Sequence, residues 1–317
     1  MNDRIPAASG GRVLGAVAAL AVFAGCAVDE PAPSPPEPRP IPFPSVSDAP
    51  ERLVALGDVH GDFDAMMEAL RIADVVDDDG TWVGGSTWVV QTGDQLDRGD
   101  QERRILDALP RLADEAWAAG GAFIALNGNH EAMNVELDLR YVTPAGFAEF
   151  ADLAPEELDD ELLDYPEEER GRVAAFRPGG PYALQLSGRN VAVIVGGSAF
   201  VHGGLNPSHA ERGLDRINSE VQEWMRAEDE WPWILEGDGP LWIRDYSYET
   251  GAAECEALEQ SLDILGIDRL VVGHTVHDAI NAACDEQVWR VDVGMAAYYG
   301  GAPQVLEIRG DDIEILD

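Results

Sequence analysis

The 317-residue chain carries 60 acidic residues against 21 basic ones, all of them arginine, for a formal charge of −39 at pH 7. So acidic a surface excludes nucleic acid, or an anionic lipid face held through a basic patch, as a partner. The apolar content, 45%, is ordinary for a globular core, and the excess charge reads as a solubility device.

Arg4 and Arg12 precede an apolar stretch at 13–24 that falls short of the roughly 20 residues a membrane-spanning helix requires. Residues 1–25 therefore read as a signal peptide. It ends in Phe23-Ala24-Gly25-Cys26, small residues before a cysteine as in a bacterial lipobox, which makes Cys26 the expected lipidation site; the alternative is a plain secretory signal cleaved nearby. Residues 26–50 follow as a proline-rich spacer with little to bury, holding the folded part off the cell-envelope membrane. Export also places Cys255 and Cys284 in an oxidising compartment, where they either pair or stay as two buried thiols.

From Leu53 strand-like and helical runs alternate, predicting a mixed α/β (α+β) domain over 51–317. An apolar run at 53–56 ends in Gly57-Asp58-Val59-His60-Gly61-Asp62. A helix follows to residue 73, with Asp62 as N-cap and Phe63, Met66, Met67 and Leu70 on one face. The run at 87–91 leads to Gly93-Asp94-Gln95-Leu96-Asp97-Arg98-Gly99 and a helix over about 101–119. The run at 122–126 leads to Gly128-Asn129-His130-Glu131. Between about 143 and 180 the alternation lapses into an acidic insertion, read either as a cap over the site or as a solvated surface helix pair. Runs at 199–201 and 270–272 then enter His202-Gly203-Gly204 and Gly273-His274-Thr275, and 288–293, 304–308 and 313–316 predict an antiparallel meander.

Four of the six histidines sit in these blocks. Loops at the carboxyl ends of strands are where open α/β sheets bind ligands. Oxygen donors mixed with imidazole suit two divalent ions, Mn, Fe or Zn. Asp58 and His60 can face one ion, Asp94 is placed to bridge, and Asn129, His202 and His274 offer an amide oxygen and two ring nitrogens. Arg98 and Arg244 can grip phosphate in bidentate fashion. His130 can protonate a leaving oxygen, with Asp97 holding its tautomer. His209 and His277 belong to no block and read as surface residues. Trp224, Trp231, Trp233 and Trp242 read as core and rim packing.

The set GDxHG, GDxxDRG, GNHE, HGG and a late histidine resembles the metallophosphoesterases of the phosphoprotein phosphatase (PPP) superfamily. Three longer segments, GNHEAMNVELDLRYV at 128–142, FVHGGL at 200–205 and GPLWIRDY at 239–246, are similar to the Shewanella-like protein phosphatases. Glu136 and Leu137 stand where that pattern has a variable residue and glycine. The resemblance covers residues 52–295. It implies a calcineurin-like β-sandwich flanked by helices, with Asp58, His60 and Asp94 on one metal and Asp94, Asn129, His202 and His274 on the other. It also implies His130 with Asp97 as the acid and Arg98, Asn129 and Arg244 as the phosphate grip. The expected enzyme is a monomeric phosphomonoesterase in which a metal-bridging hydroxide attacks a phosphoprotein, phosphotyrosine included, or a small phosphomonoester. No Cys-x5-Arg nucleophile loop is recognised in the sequence, which excludes a cysteine-dependent tyrosine phosphatase mechanism. The alternatives are a dinucleoside polyphosphate hydrolase and a non-catalytic envelope lipoprotein that binds phosphoproteins.

Overall fold

A computed structural model describes residues 38–248 and 250–317. The expected signal peptide, Cys26 and the spacer up to residue 37 lie outside the described residues. The rest of the expected spacer does not: residues 38–50 belong to the folded body. Phe43 meets Trp88 and Trp117 edge-on at 5.4 and 6.4 Å, Arg39 pairs with Asp114 at 2.9 Å, and β1 (Val46–Ser47) joins a sheet. Proline content concealed one large apolar side chain and a short β segment, and these are enough to fix the segment.

In chain order there follow β2 (Leu53–Leu56), α1 (Phe63–Ile72), β3 (Trp88–Gln91), α2 (Glu102–Ala118), β4 (Ala122–Ala125) and α3 (Asn129–Glu136). The insertion holds α4 (Pro144–Ala148), α5 (Asp160–Leu163) and α6 (Arg170–Phe176), and α7 (Pro181–Leu186) leads out of it. Then come β5 (Ala192–Val195), β6 (Ser198–Val201), α8 (Pro207–Arg212), α9 (Leu214–Met225) and α10 (Ala252–Leu265). The chain closes with β7 (Arg269–Val272), β8 (Asn281–Ala283), β9 (Val288–Arg290), β10 (Val305–Arg309) and β11 (Asp312–Leu316). Asp62 caps α1 as its sequence suggests, accepting from Ala65 N, and the helix buries Met66, Met67, Ala69 and Leu70.

Two sheets result, ordered β11-β10-β2-β3-β4 and β1-β5-β6-β7-β9-β8. Each contains three parallel neighbours, β2, β3 and β4 in one and β6, β7 and β9 in the other. Alternation along β5 shows how they stack. Val193 and Val195 join the core that contains the first sheet, α1 and α2, while Ala192 and Ile194 join a second core under α7, α9 and α10. A fully buried valine such as Val193 contributes about 1.5–3 kcal/mol of transfer free energy.

The expected meander is only partly present. Strands β10 and β11 form a hairpin, but β9 lies in the other sheet between β7 and β8. Apolar alternation marks a strand without saying which sheet holds it. Cys255 and Cys284 are joined in a disulfide between α10 and the turn after β8. His209 is buried, not exposed: its side chain accepts from Asn206 N in a capping box at the start of α8. His277 is half-buried, its Nε2 donating to Ser247 O at 2.8 Å. Trp224 packs edge-on against Trp231, and Trp233 and Trp242 lie against the second core.

Candidate metal centre

The parallel strands of both sheets end at one place. Asp58 and His60 follow β2, Asp94 follows β3, Asn129 opens α3 after β4, His202 follows β6 and His274 follows β7. The turns leave no room to spare: a Cβ at Gly128 would collide with the Asp94 carboxylate, and one at Gly273 with that of Asp58. Five non-glycine residues here, His60, Asp94, Asp97, Arg98 and His274, have φ between +38° and +70°. Left-handed backbone at such residues costs of order 1–3 kcal/mol each, and it persists where the surroundings hold a functional geometry.

Three histidines are pinned in the same manner. His60 Nδ1 donates to Leu96 O at 3.0 Å, His202 Nδ1 to Thr92 O at 3.1 Å, and His274 Nε2 to Trp242 O at 3.1 Å. A carbonyl only accepts, so in the neutral imidazole the opposite ring nitrogen carries a lone pair. Those lone pairs converge. His202 Nε2 lies 3.2 Å from Asp94 Oδ2, 2.8 Å from Asn129 Oδ1 and 3.0 Å from His274 Nδ1. His60 Nε2 lies 3.6 Å from Asp94 Oδ2 and 3.9 Å from Asp58 Oδ2. Asp94 belongs to both donor groups, one with His60 and His130, the other with His202 and His274. Acceptors facing acceptors in a buried space fit cations.

The acids tell the same story. Burial drives the Asp58 carboxyl well above the usual range, and Asp292 and Asp94 push it further. Asp292 is raised to about 6, chiefly by burial. Burial also works against ionised Asp94, yet His202 and His130 hold it well below the usual range. Burial pulls His60 down to about 4. Burial and the neighbouring His202 lower His274.

His130 stands to one side, its Nε2 3.8 Å from Asp94 Oδ2 and its Nδ1 2.5 Å from Asp97 Oδ2. Burial lowers it, but Asp94 and Asp97 outweigh burial and raise it above the ordinary histidine value. The Arg98 guanidinium lies 4.7, 5.2 and 5.3 Å from the rings of Tyr141, Tyr298 and Tyr299, with Nε unpaired. Exposed Arg244 stands by His274, donating to His274 O at 2.7 Å and Thr275 Oγ1 at 2.6 Å. A cleft of about 360 Å³ lined by His60, Asp62, Arg98, Asp100 and Tyr298 opens beside the centre.

Residues 51–278 match the family described as calcineurin-like phosphoesterase. The chain is 41% identical over 297 residues to Shewanella-like protein phosphatase 2 of Arabidopsis thaliana, spanning 83% of this chain and 76% of that protein. The chain belongs to the calcineurin-like phosphoesterases, and among them to the Shewanella-like protein phosphatases. Two solved structures are similar at 26% identity. One is a cold-active protein tyrosine phosphatase, with a TM-score of 0.72 over 86% of this chain and 78% of that one. The other is the cold-active protein-tyrosine phosphatase of a psychrophilic Shewanella, with a TM-score of 0.68 over 87% and 83%.

Asp58, His60, Asp94, Asn129, His202 and His274 are brought together at the strand ends, with the His130–Asp97 pair beside them. Sequence reasoning passed over three neighbours. Asp292, beyond β9, reaches Asp58; its signal was an acid two residues before glycine in the run Val291-Asp292-Val293-Gly294. Glu131, quoted within its block but given no role, accepts from Asp94 N, Gln95 N, Leu96 N and Gly128 N at 2.7–3.2 Å, tying the second and third blocks together. Arg172, in the acidic insertion, is completely buried beneath the site. Contrary to the sequence reading, Cys284 to Arg290 does have the Cys-x5-Arg spacing of a cysteine phosphatase loop. It forms none: the sulfur is in the disulfide, and Arg290 Nε donates to Tyr246 O at 2.8 Å.

Proposed function

We propose that this phosphoesterase is a dinuclear-metal phosphomonoesterase acting on phosphoproteins, phosphotyrosine among them. The observation that carries the reading is the set of three histidines whose outer N–H groups are committed to backbone carbonyls while their lone pairs converge on Asp94. Asp58, His60 and Asp94 would hold one ion and Asp94, Asn129, His202 and His274 the other; the donor set suits Mn, Fe or Zn. When bound, the cations supply a water of lowered pKa and neutralise phosphate charge.

This chain's own groups do the rest. Arg98, unpaired at Nε and backed by three tyrosine rings, grips phosphate oxygens from the His130 side, and Arg244 does so from the His274 side. Water attacks phosphorus opposite the leaving oxygen, and that oxygen takes a proton from His130 Nε2 while Asp97 keeps the proton at Nδ1. The exposed rings of Tyr141, Tyr298 and Tyr299 favour an aryl phosphate at the rim. The disulfide supports placing the domain in an oxidising compartment, and export with lipidation at Cys26 and a monomeric state complete the proposal.

The test is turnover by the full-length chain with Mn²⁺ on phosphotyrosine, phosphoserine and phosphothreonine peptides beside diadenosine tetraphosphate. Faster hydrolysis of the peptides is expected. Preference for the dinucleotide would make it a polyphosphate hydrolase. Phosphopeptide binding without turnover would make it a non-catalytic module.

A further inference from the structure

Arg172 is the most deeply buried charge in the insertion, with no exposed side-chain surface. Its Nε donates to Asn134 Oδ1 at 2.8 Å. Nη1 donates to Glu102 Oε2 and to Gly146 O, and Nη2 to Glu102 Oε1 at 2.9 Å. Nη2 also lies 3.6 Å from Asp97 Oδ1. Phe150 and Phe176 lie against the guanidinium at 5.2 and 4.9 Å. The packing is close enough that a Cβ at Gly146 would stand 2.8 Å from Glu102 Oε2.

Both side chains that this arginine hydrogen-bonds, Glu102 and Asn134, converge on Asp97. Glu102 Oε1 accepts from Asp97 N at 2.5 Å, fixing the amide of a residue with φ +68°. Asn134 Nδ2 donates to Asp97 Oδ1 at 3.0 Å and to His130 O at 2.9 Å. The other Asp97 oxygen is taken by His130 Nδ1. Turning the Asp97 carboxylate therefore breaks a bond to His130 or to Asn134, and Arg172 keeps Asn134 and Glu102 from turning with it. A buried ion pair is a poor source of stability, since apolar replacements of similar volume often do as well. Its directional bonds are what an apolar replacement could not supply.

We propose that Arg172, acting through Glu102 and Asn134, is a positioning residue that fixes the Asp97–His130 pair in the geometry for proton delivery to the leaving oxygen; this rests on the reading of His130 as the acid. A good leaving group departs without that proton and a poor one does not. The experiment compares phenyl phosphate with 2,4-dinitrophenyl phosphate, using the full-length chain, its Arg172→Lys and Asn134→Ala variants, and His130→Asn as reference, all with Mn²⁺ and with metal content measured. For Arg172→Lys, kcat on phenyl phosphate falls about tenfold or more, while on 2,4-dinitrophenyl phosphate it falls no more than about threefold, with KM and metal content held. Asn134→Ala leaves the Arg172–Glu102 pair in place, so it carries the test if Arg172→Lys does not fold. Equal losses on both esters, or no loss on either in a folded variant, overturn the inference while the phosphatase reading stands. A metal-loaded wild-type chain that cleaves neither ester overturns both.

Discussion

The donor layer and the layer beneath it are built by opposite rules. Asp58, His60, Asp94, His202 and His274 sit on turns after strands, three of them in left-handed backbone, with Asn129 at the first position of α3, and their acids and imidazoles face one another. Below them Glu131, Asn134, Glu102 and Arg172 sit on helices, and their hydrogen bonds are paired almost throughout. The upper layer is unsatisfied by itself and gains from cations. The lower layer is satisfied by itself and gains nothing from them. A site of this kind is strained where it binds and over-determined where it is supported.

Substitutions in the two layers should therefore differ in kind. Asp94→Asn should give the largest loss, removing turnover and lowering metal content together; an unchanged metal content by elemental analysis would break the contrast. His130→Asn should lower kcat on a poor leaving group about 10²–10⁴-fold with metal retained. In the lower layer, Glu131→Gln leaves backbone amides of two blocks short of acceptors and should cost roughly 1.5–3 kcal/mol of stability. Denaturant titration checks it, and an unchanged midpoint would make Glu131 a bystander. Leu137 caps α3 at φ 67°, ψ 27°, where the family pattern has glycine. Leu137→Gly should raise stability by about 1 kcal/mol, read as a higher melting temperature, because glycine carries no left-handed penalty.

Glu307, far from either layer, is the control. Burial works against its charge, but hydrogen bonds from Arg309 and Arg52 hold its carboxyl below the usual range. A lowered folded-state pKa stabilises above the ordinary glutamate pKa and fades as pH falls through the lowered value. Glu307→Gln should cost up to about 1 kcal/mol at pH 7, and its deficit should vanish in acid. Melting curves of both proteins across that range check the sign.

The upper layer was legible because its signal is local. Glycine beside aspartate or histidine at the end of an apolar run marks a turn and a donor at once, so each block could be read without its partners. The lower layer is not local. Glu102 and Arg172 are 70 residues apart, and an arginine just after a segment as acidic as 155–170 has the look of a solvated helix. Asp292 hid inside a run assigned to a meander. Phe43 hid among prolines, because a spacer is recognised by what it lacks and one aromatic anchor suffices to contradict it.

That anchor has a mechanical side. The described chain enters the body through Arg39 and Phe43 and then lies parallel to β5, with Ile194 N donating to Ser45 O at 2.7 Å and Gly196 N to Ser47 O at 2.9 Å. Tension applied at Pro38 would meet the Arg39–Asp114 pair and the Phe43 ring first and two backbone hydrogen bonds loaded in shear second. Only after both had yielded would it reach β2, whose end carries Asp58 and His60. The entry segment thus stands between a pull at Pro38 and the turns after β2 where Asp58 and His60 sit.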